Sequence, residues 1–344
     1  MKLQIILNRL QKLHPKEIDL SLDRIQNLFK KLDNPQNNLK CISIIGTNGK
    51  YSTIQTIRAI LKEANINCNI YTSPHIQKIN ERFVYNHVEI SDEILSKLLI
   101  EVEDINAGEP ITYFEILTAA YFYHAKNFKN NINLIESGLF HRFDATNVIK
   151  ENLASIVTTI GLDHLDWLPE NKRTIEKIVY EKTSCLLNSK IVIAKQSSVE
   201  TLDLIKKNIS ENSSKKIIFN EQYSCSINEN GFIYYEDEFG GLKLPKPNLA
   251  GEFQIDNVAT AISTLRNLNL EIENKHIKTG ITKIKSIARL QEIKNGKLKD
   301  LCKNNKIFVD GSHNPLGAKV LNKYLEELNC NIHIILGMMA NKDH

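Results

Sequence analysis

Cys41-Ile42-Ser43-Ile44-Ile45, running into Gly46-Thr47-Asn48-Gly49-Lys50-Tyr51-Ser52, decides the fold of this chain. The β-rich apolar run predicts a buried strand, the glycines a tight loop, and Ile54, Ile57, Leu61 and Ala64 one apolar face of a following helix. Strand, glycine loop and helix together make a phosphate cradle. Glycines let backbone N–H groups approach phosphate oxygens, and Lys50 neutralises the outer ones. The match to the P-loop pattern GxxxxGK[ST] is incomplete. Ile44 occupies the first glycine position, and Tyr51 follows the lysine where Ser or Thr is usual. A glycine-rich turn with an exposed lysine would use the same residues.

Outward from this unit, short apolar runs alternate with helix-period segments, the pattern of a mostly parallel sheet covered by helices. Strands are expected at Cys68 to Tyr71, Asn133 to Glu136, Leu153 to Ile160 and Ile191 to Ala194. Ile94, Leu95, Leu98, Val102 and Ile105 predict another helix. Residues 216 to 245 differ. Lys216 to Phe219, Cys225 to Ile227, Phe232 to Tyr235 and Leu242 to Leu244, with Glu229-Asn230-Gly231 as a turn, predict a small antiparallel appendage. Helices at Gln254 to Leu268 and Lys275 to Lys285 follow, and Lys306 to Val309 opens a second α/β unit. The fold class is therefore α/β: a P-loop-type sheet flanked by helices, the appendage, and a second, C-terminal α/β unit. The boundary is set at 1–288 and 289–344.

In open α/β sheets, residues just past the strands share one edge, where ligands bind. Lys50 follows the first strand, Ser73 the second, Glu136 ends the third, and Asp163-His164 follow the fourth. A hydroxyl, a carboxylate and an imidazole beside phosphates can complete a Mg²⁺ shell, the imidazole being the least usual member. Taken singly, Ser73 before Pro74 makes a turn, Glu136 a loop carboxylate and His164 a local cap. It is their common edge that favours a site. Lys182, on a helix from Thr174 to Leu186, reads as a surface lysine.

Composition narrows the partners. The chain has 344 residues, a formal charge of +4 and no long one-sign block, which disfavours nucleic acid and suits a small anionic substrate. Six scattered cysteines form no CxxC pair and no His/Cys cluster at metal spacing, so reduced thiols in a cytoplasmic protein are expected. No apolar stretch reaches the roughly 20 residues of a membrane span. A monomer without membrane or nucleic-acid partners is expected.

Further motifs resemble the folylpolyglutamate synthases and bifunctional dihydrofolate synthases, a branch of the Mur-ligase-like enzymes. They begin at Leu13-His14-Pro15-Lys16 and Ile18-Asp19-Leu20-Ser21-Leu22, and continue through GTNGK, Tyr71 to Phe83, Thr112 to Glu115, Asp144 to Ile149 and Ile160 to Leu168. Leu249 to Ala261, Asp310 to Pro315 and Leu336 to Asp343 follow. The resemblance implies an ATP- and Mg²⁺-dependent ligase that joins glutamate to dihydropteroate, to folate or to both through an acyl phosphate. By it, Thr47, Asn48, Gly49, Lys50 and Ser52 would hold the ATP phosphates, and Asn257, Arg289, Asp310 and His313 would lie at the nucleotide. Ser73, Glu136 and His164 would bind the metal. Lys50, His164 and a carbamylated Lys182 would serve catalysis, and Phe114, Glu115, Arg142, Phe143, Asp144 and Ala145 would border the pterin.

The chain departs from the family at several places. The segment GLGGRLD is here Gly138-Leu139-Phe140-His141-Arg142-Phe143-Asp144, PGR is Ile287-Ala288-Arg289, and the His of an HQ pair is Phe253. If the lost glycines served positive φ or close substrate approach, Phe140 and His141 would obstruct the pterin end. The chain stops at His344, where family members continue, so the resemblance implies an incomplete Rossmann-like C-terminal domain. The expectation is a shortened, impaired member that still binds nucleotide or folate, or one part of a longer gene product.

Overall fold

The structure, a computed structural model, describes residues 2–16, 19–228 and 232–339. Two helices, α1 (Lys2–Leu10) and α2 (Asp23–Lys31), precede β1 (Lys40–Ile45), α3 (Lys50–Glu63) and β2 (Cys68–Tyr71). A short pair, β3 (Phe83–Tyr85) and β4 (Val88–Glu89), leads to α4 (Asp92–Asn106), α5 (Tyr113–Ala125) and β5 (Ile132–Glu136). Next come β6 (Ala154–Val157), α6 (Ile175–Thr183), β7 (Lys190–Ile193), α7 (Val199–Asn208) and β8 (Lys216–Ile218).

These eight strands form one sheet in the order β4-β3-β2-β5-β1-β6-β7-β8, parallel from β2 to β8. β1 lies at its centre and is buried on both faces after Lys40, which explains its unbroken apolar sequence. Ile42 and Ile44 pack with the core under α3, while Cys41 packs with the helices of the opposite face. β3 and β4 extend the edge in antiparallel pairing that the sequence did not announce, because each is only two or three residues long.

Beyond β8, a three-stranded antiparallel sheet holds β9 (Tyr223–Ile227), β10 (Ile233–Asp237) and β11 (Leu242–Leu244). The expected appendage is therefore smaller than its sequence span. Lys216 to Ile218 belongs to the main sheet, parallel to β7. The expected turn at Glu229-Asn230-Gly231, like Ile18 and Ala340 to Asp343 of the family motifs, lies outside the described residues. α8 (Phe253–Arg266) and α9 (Asn274–Thr282) then pack on α3, where Gly280 comes so close that a Cβ would lie 2.7 Å from the Ile60 Cα.

After Leu290 the pairing pattern changes. β12 (Gln291–Glu292) and β13 (Phe308–Val309) form a separate antiparallel pair around α10 (Lys297–Cys302), and α11 (Pro315–Glu326) follows. The strand expected from Lys306 is thus shorter, and its partner lies upstream in antiparallel register. No helix among the described residues is long and apolar enough to cross a membrane.

Candidate active site

The cradle lies at the carboxyl end of β1, between the ends of β5 and β6. Gly46 and Gly49 have φ of +145° and +92°. A Cβ on Gly46 would sit 2.0 Å from the Thr158 hydroxyl oxygen, and one on Gly49 2.4 Å from the Asn257 amide oxygen. Both positions therefore require glycine for backbone conformation and for space. The Thr47 and Asn48 N–H groups donate to the Thr159 carbonyl at 3.0 and 3.1 Å, tying the loop to the segment after β6. Ser52 is buried in the first turn of α3.

Two lysines converge on this loop. The Lys50 ammonium donates to the carbonyls of Gly46 (3.1 Å) and Thr47 (3.2 Å) and lies 4.0 Å from Glu136 Oε1. The other is Lys182, which the sequence placed on the surface. It is 2% exposed, and its amine donates to the carbonyls of Gly46 (3.0 Å) and Leu139 (2.8 Å). Burial, helped by nearby Lys50 and opposed by Asp163 and Asp144, lowers its pKa to about 7. The only sequence signal of this burial is that Lys182 shares the inner face of α6 with Ile178 and Val179.

Glu136 is buried, and its Oε2 accepts from the Ser73 backbone N–H at 3.2 Å. Burial raises its pKa, with Lys50 opposing. A carboxylate so enclosed, facing one lysine at 4.0 Å, gains from a further cation. Ser73 thus meets Glu136 as the sequence predicted. His164 follows at a left-handed φ of 58°, its Nε2 3.6 Å from Asp163 Oδ2. No group of three or more His, Cys, Asp and Glu among the described residues could hold a metal by itself. Of the expected set Ser73, Glu136 and His164, the structure joins Ser73 to Glu136, and a Mg²⁺ held there would take its remaining oxygens from phosphate and water.

The segment after Leu290 closes over the cradle. The Asn48 and Asn314 side-chain amides pair at 2.9 and 3.1 Å, and Asn314 also donates to Asp163 Oδ2 at 3.1 Å. Asn314 is a clasp that sequence reading did not single out, although DGSHNP contains it. His313 Nε2 lies 3.5 Å from the same Asp163 oxygen. Asp310 accepts from the Leu290 and Ser312 N–H groups, pinning the crossover. Arg289 sits over the Tyr51 ring, 5.7 Å from its centroid, so Tyr51 places an aromatic face beneath a residue expected at the nucleotide. Asn257 adjoins Gly49 and donates to Gln254.

The loop that Lys182 ties to the cradle through Leu139 borders a cavity of about 200 Å³ whose lining includes Phe114, Glu115, Phe143, Asp144 and Ala145. Five of the six residues expected at the pterin therefore meet there. Arg142 does not line it. Its guanidinium turns to Glu181 on α6 in a two-bond ion pair at 2.8 and 2.9 Å. Phe140 and His141 do not obstruct the cavity, contrary to expectation. Their backbones have no positive φ, and both side chains are buried, Phe140 in the core between the sheet and α6. Glu115 caps α5, its Oε2 accepting from Thr112 N–H (2.8 Å) and Arg24 Nε (3.0 Å). Its Oε1 is buried with no hydrogen-bond partner, an acceptor suited to a ligand N–H.

No family model matches the chain. It is 29% identical over 341 residues to a Bacillus subtilis dihydrofolate synthase/folylpolyglutamate synthase, spanning 94% of this chain and 76% of the relative. It is 30% identical over 336 residues to a probable dihydrofolate synthetase of Schizosaccharomyces pombe, spanning 95% and 78%. Among solved structures, a bifunctional folylpolyglutamate synthase/dihydrofolate synthase from Yersinia pestis, complexed with AMPPNP and Mn ion, superposes with a TM-score of 0.82. That pair is 27% identical and covers 94% of this chain and 75% of the other.

Proposed function

We infer the reaction from the family to which this chain belongs, the dihydrofolate synthases/folylpolyglutamate synthases: it is an ATP-dependent ligase that joins glutamate to dihydropteroate, to folate or to both. The observation that carries this reading is the meeting of Lys50, Glu136 and Lys182 around Gly46, next to a cavity with an unpaired Glu115 oxygen.

A carboxylate resists amines until it has a leaving group. Its oxygen attacks the γ-phosphorus of ATP, ADP departs, and the acyl phosphate forms. The glutamate amine then attacks the acyl carbon, phosphate leaves, a proton is lost and the amide remains. Lys50, with the Asn48 and Gly49 backbone, would stabilise charge on the transferring phosphoryl group. Ser73, Glu136 and His164 would hold Mg²⁺, which when bound would supply further charge neutralisation at the phosphates. Lys182, with a pKa of about 7, offers a neutral amine. That is the form which adds CO₂, losing a proton, to give the carbamate expected of it. Asn257, Arg289, Asp310 and His313 would border the nucleotide, and Phe114 and Phe143 would flank the flat pterin while Glu115 and Asp144 accept its N–H groups.

The same reading places the domain boundary at 288/289, supported by the change of strand pairing there, and describes a cytoplasmic monomer acting on small molecules. Purified protein should release ADP only when ATP, a pteroate acid and glutamate are all present. ADP release independent of either acid or glutamate, or none at all, would sink it.

A further inference from the structure

We propose that His141, which stands where the family carries glycine, is a positioning residue for the acid substrate: through Ser137 and Thr146 it donates along a one-way line of hydrogen bonds that holds Asp144 as an acceptor on the cavity wall. This rests on the reading of that cavity as the pterin site.

The direction of the line follows from counting hydrogens. Asp144 Oδ1 accepts from the Thr146 backbone N–H at 3.0 Å and the Thr146 hydroxyl at 2.5 Å. Its Oδ2 accepts from Gly138 N–H at 3.0 Å. A hydroxyl has one hydrogen, so Thr146, having given its own to the carboxylate, can only accept from Ser137, 3.3 Å away. Ser137 has then spent its hydrogen in turn and can only accept from His141 Nδ1, at 3.1 Å. His141 must therefore carry its proton on Nδ1.

Each member of the line is at most 4% exposed, so water does not compete for these bonds. Burial and the neighbouring Lys182 lower the His141 pKa to about 4, which keeps the ring neutral with Nε2 bare. Aligned hydrogen bonds in a dry interior polarise one another toward the acceptor at the end. That acceptor lines the cavity, and it is pressed so close to the chain that a Cβ on Gly138 would lie 2.9 Å from Asp144 Oδ2. An anion fixed in this way selects a flat ligand edge that presents N–H donors. The bulky replacement thus supplies a donor behind the wall of the cavity instead of filling it.

The test compares His141→Asn, whose amide nitrogen falls near Nδ1, with His141→Gln, whose nitrogen falls near Nε2, and with His141→Leu. The Leu and Gln variants should raise KM for dihydropteroate about tenfold, with kcat and KM for ATP within about twofold of wild type, and Asn should recover most of the loss. Equal KM in all variants, an equal rise in Asn and Leu, or a parallel rise in KM for ATP would overturn the proposal. Independently of turnover, ¹⁵N NMR of the His141 ring should show a protonated Nδ1 and a bare Nε2. An Nε2–H tautomer would refute the line of bonds even in an active enzyme. Absence of acid-dependent ADP release in the wild type would instead refute the functional reading, leaving the NMR result to judge the line.

Discussion

Two loops at the carboxyl edge of the sheet, residues 46–50 after β1 and 137–146 after β5, treat glycine in opposite ways. Gly46 and Gly49 sit at positive φ against neighbouring side chains, so any Cβ collides. In the second loop, Phe140 and His141 stand where family members have glycine, yet their backbone conformations are ordinary and their side chains point into protein. Loss of a glycine therefore matters only where φ or close approach demands one. Gly138, crowded by Asp144 and Phe114, remains the exception in the second loop. Lys182 joins the two loops by bonding a carbonyl from each.

The comparison can be broken most severely at Phe140. Phe140→Ala should cost about 3–5 kcal/mol in urea unfolding, because a buried ring leaves a cavity. A variant with Gly at both 140 and 141 should be less stable still and gain no activity. Higher activity there would revive obstruction as the effect of these residues. Gly49→Ala should lower kcat by about 10²- to 10³-fold, the scale of losing a preorganised charge-stabilising contact. Near-normal turnover would show that the cradle loop is not strained as its φ implies.

Lys182→Met sharpens the link between the loops through pH. In the folded chain the amine has a pKa of about 7, against 10.5 for an ordinary lysine. Between these values the unfolded chain keeps a proton that the folded chain sheds, so stability rises with pH across the window. Urea titrations through this range should show the rise in wild type and a flatter profile in Lys182→Met. An unchanged slope would assign it elsewhere. The smallest effect is expected at Arg142→Ala, which removes a partly exposed ion pair with Glu181 and should cost about 1 kcal/mol in the same titrations.

Much of the sheet was legible because its strands are buried on both faces and so read as apolar runs between glycine- and asparagine-rich breaks. β2 matched its expected limits, and β1, β5, β6 and β7 were placed correctly with small shifts at their ends. β8 was misassigned because three residues, Lys216–Ile218, carry no sign of which sheet they join. The convergence of Lys50, Ser73 and Glu136 was legible for a topological reason, since residues that end parallel strands share an edge.

The sequence by itself determined the α/β order and the cradle, because strand burial and glycine spacing are local consequences of residue type, and its motifs identified the family. Only the tertiary structure decided the environments of Lys182, Phe140 and His141. A lysine's burial and a histidine's tautomer depend on which carbonyls and hydroxyls other segments bring to them. Those partners come from as far away as Gly46 is from Lys182, across 136 positions of chain.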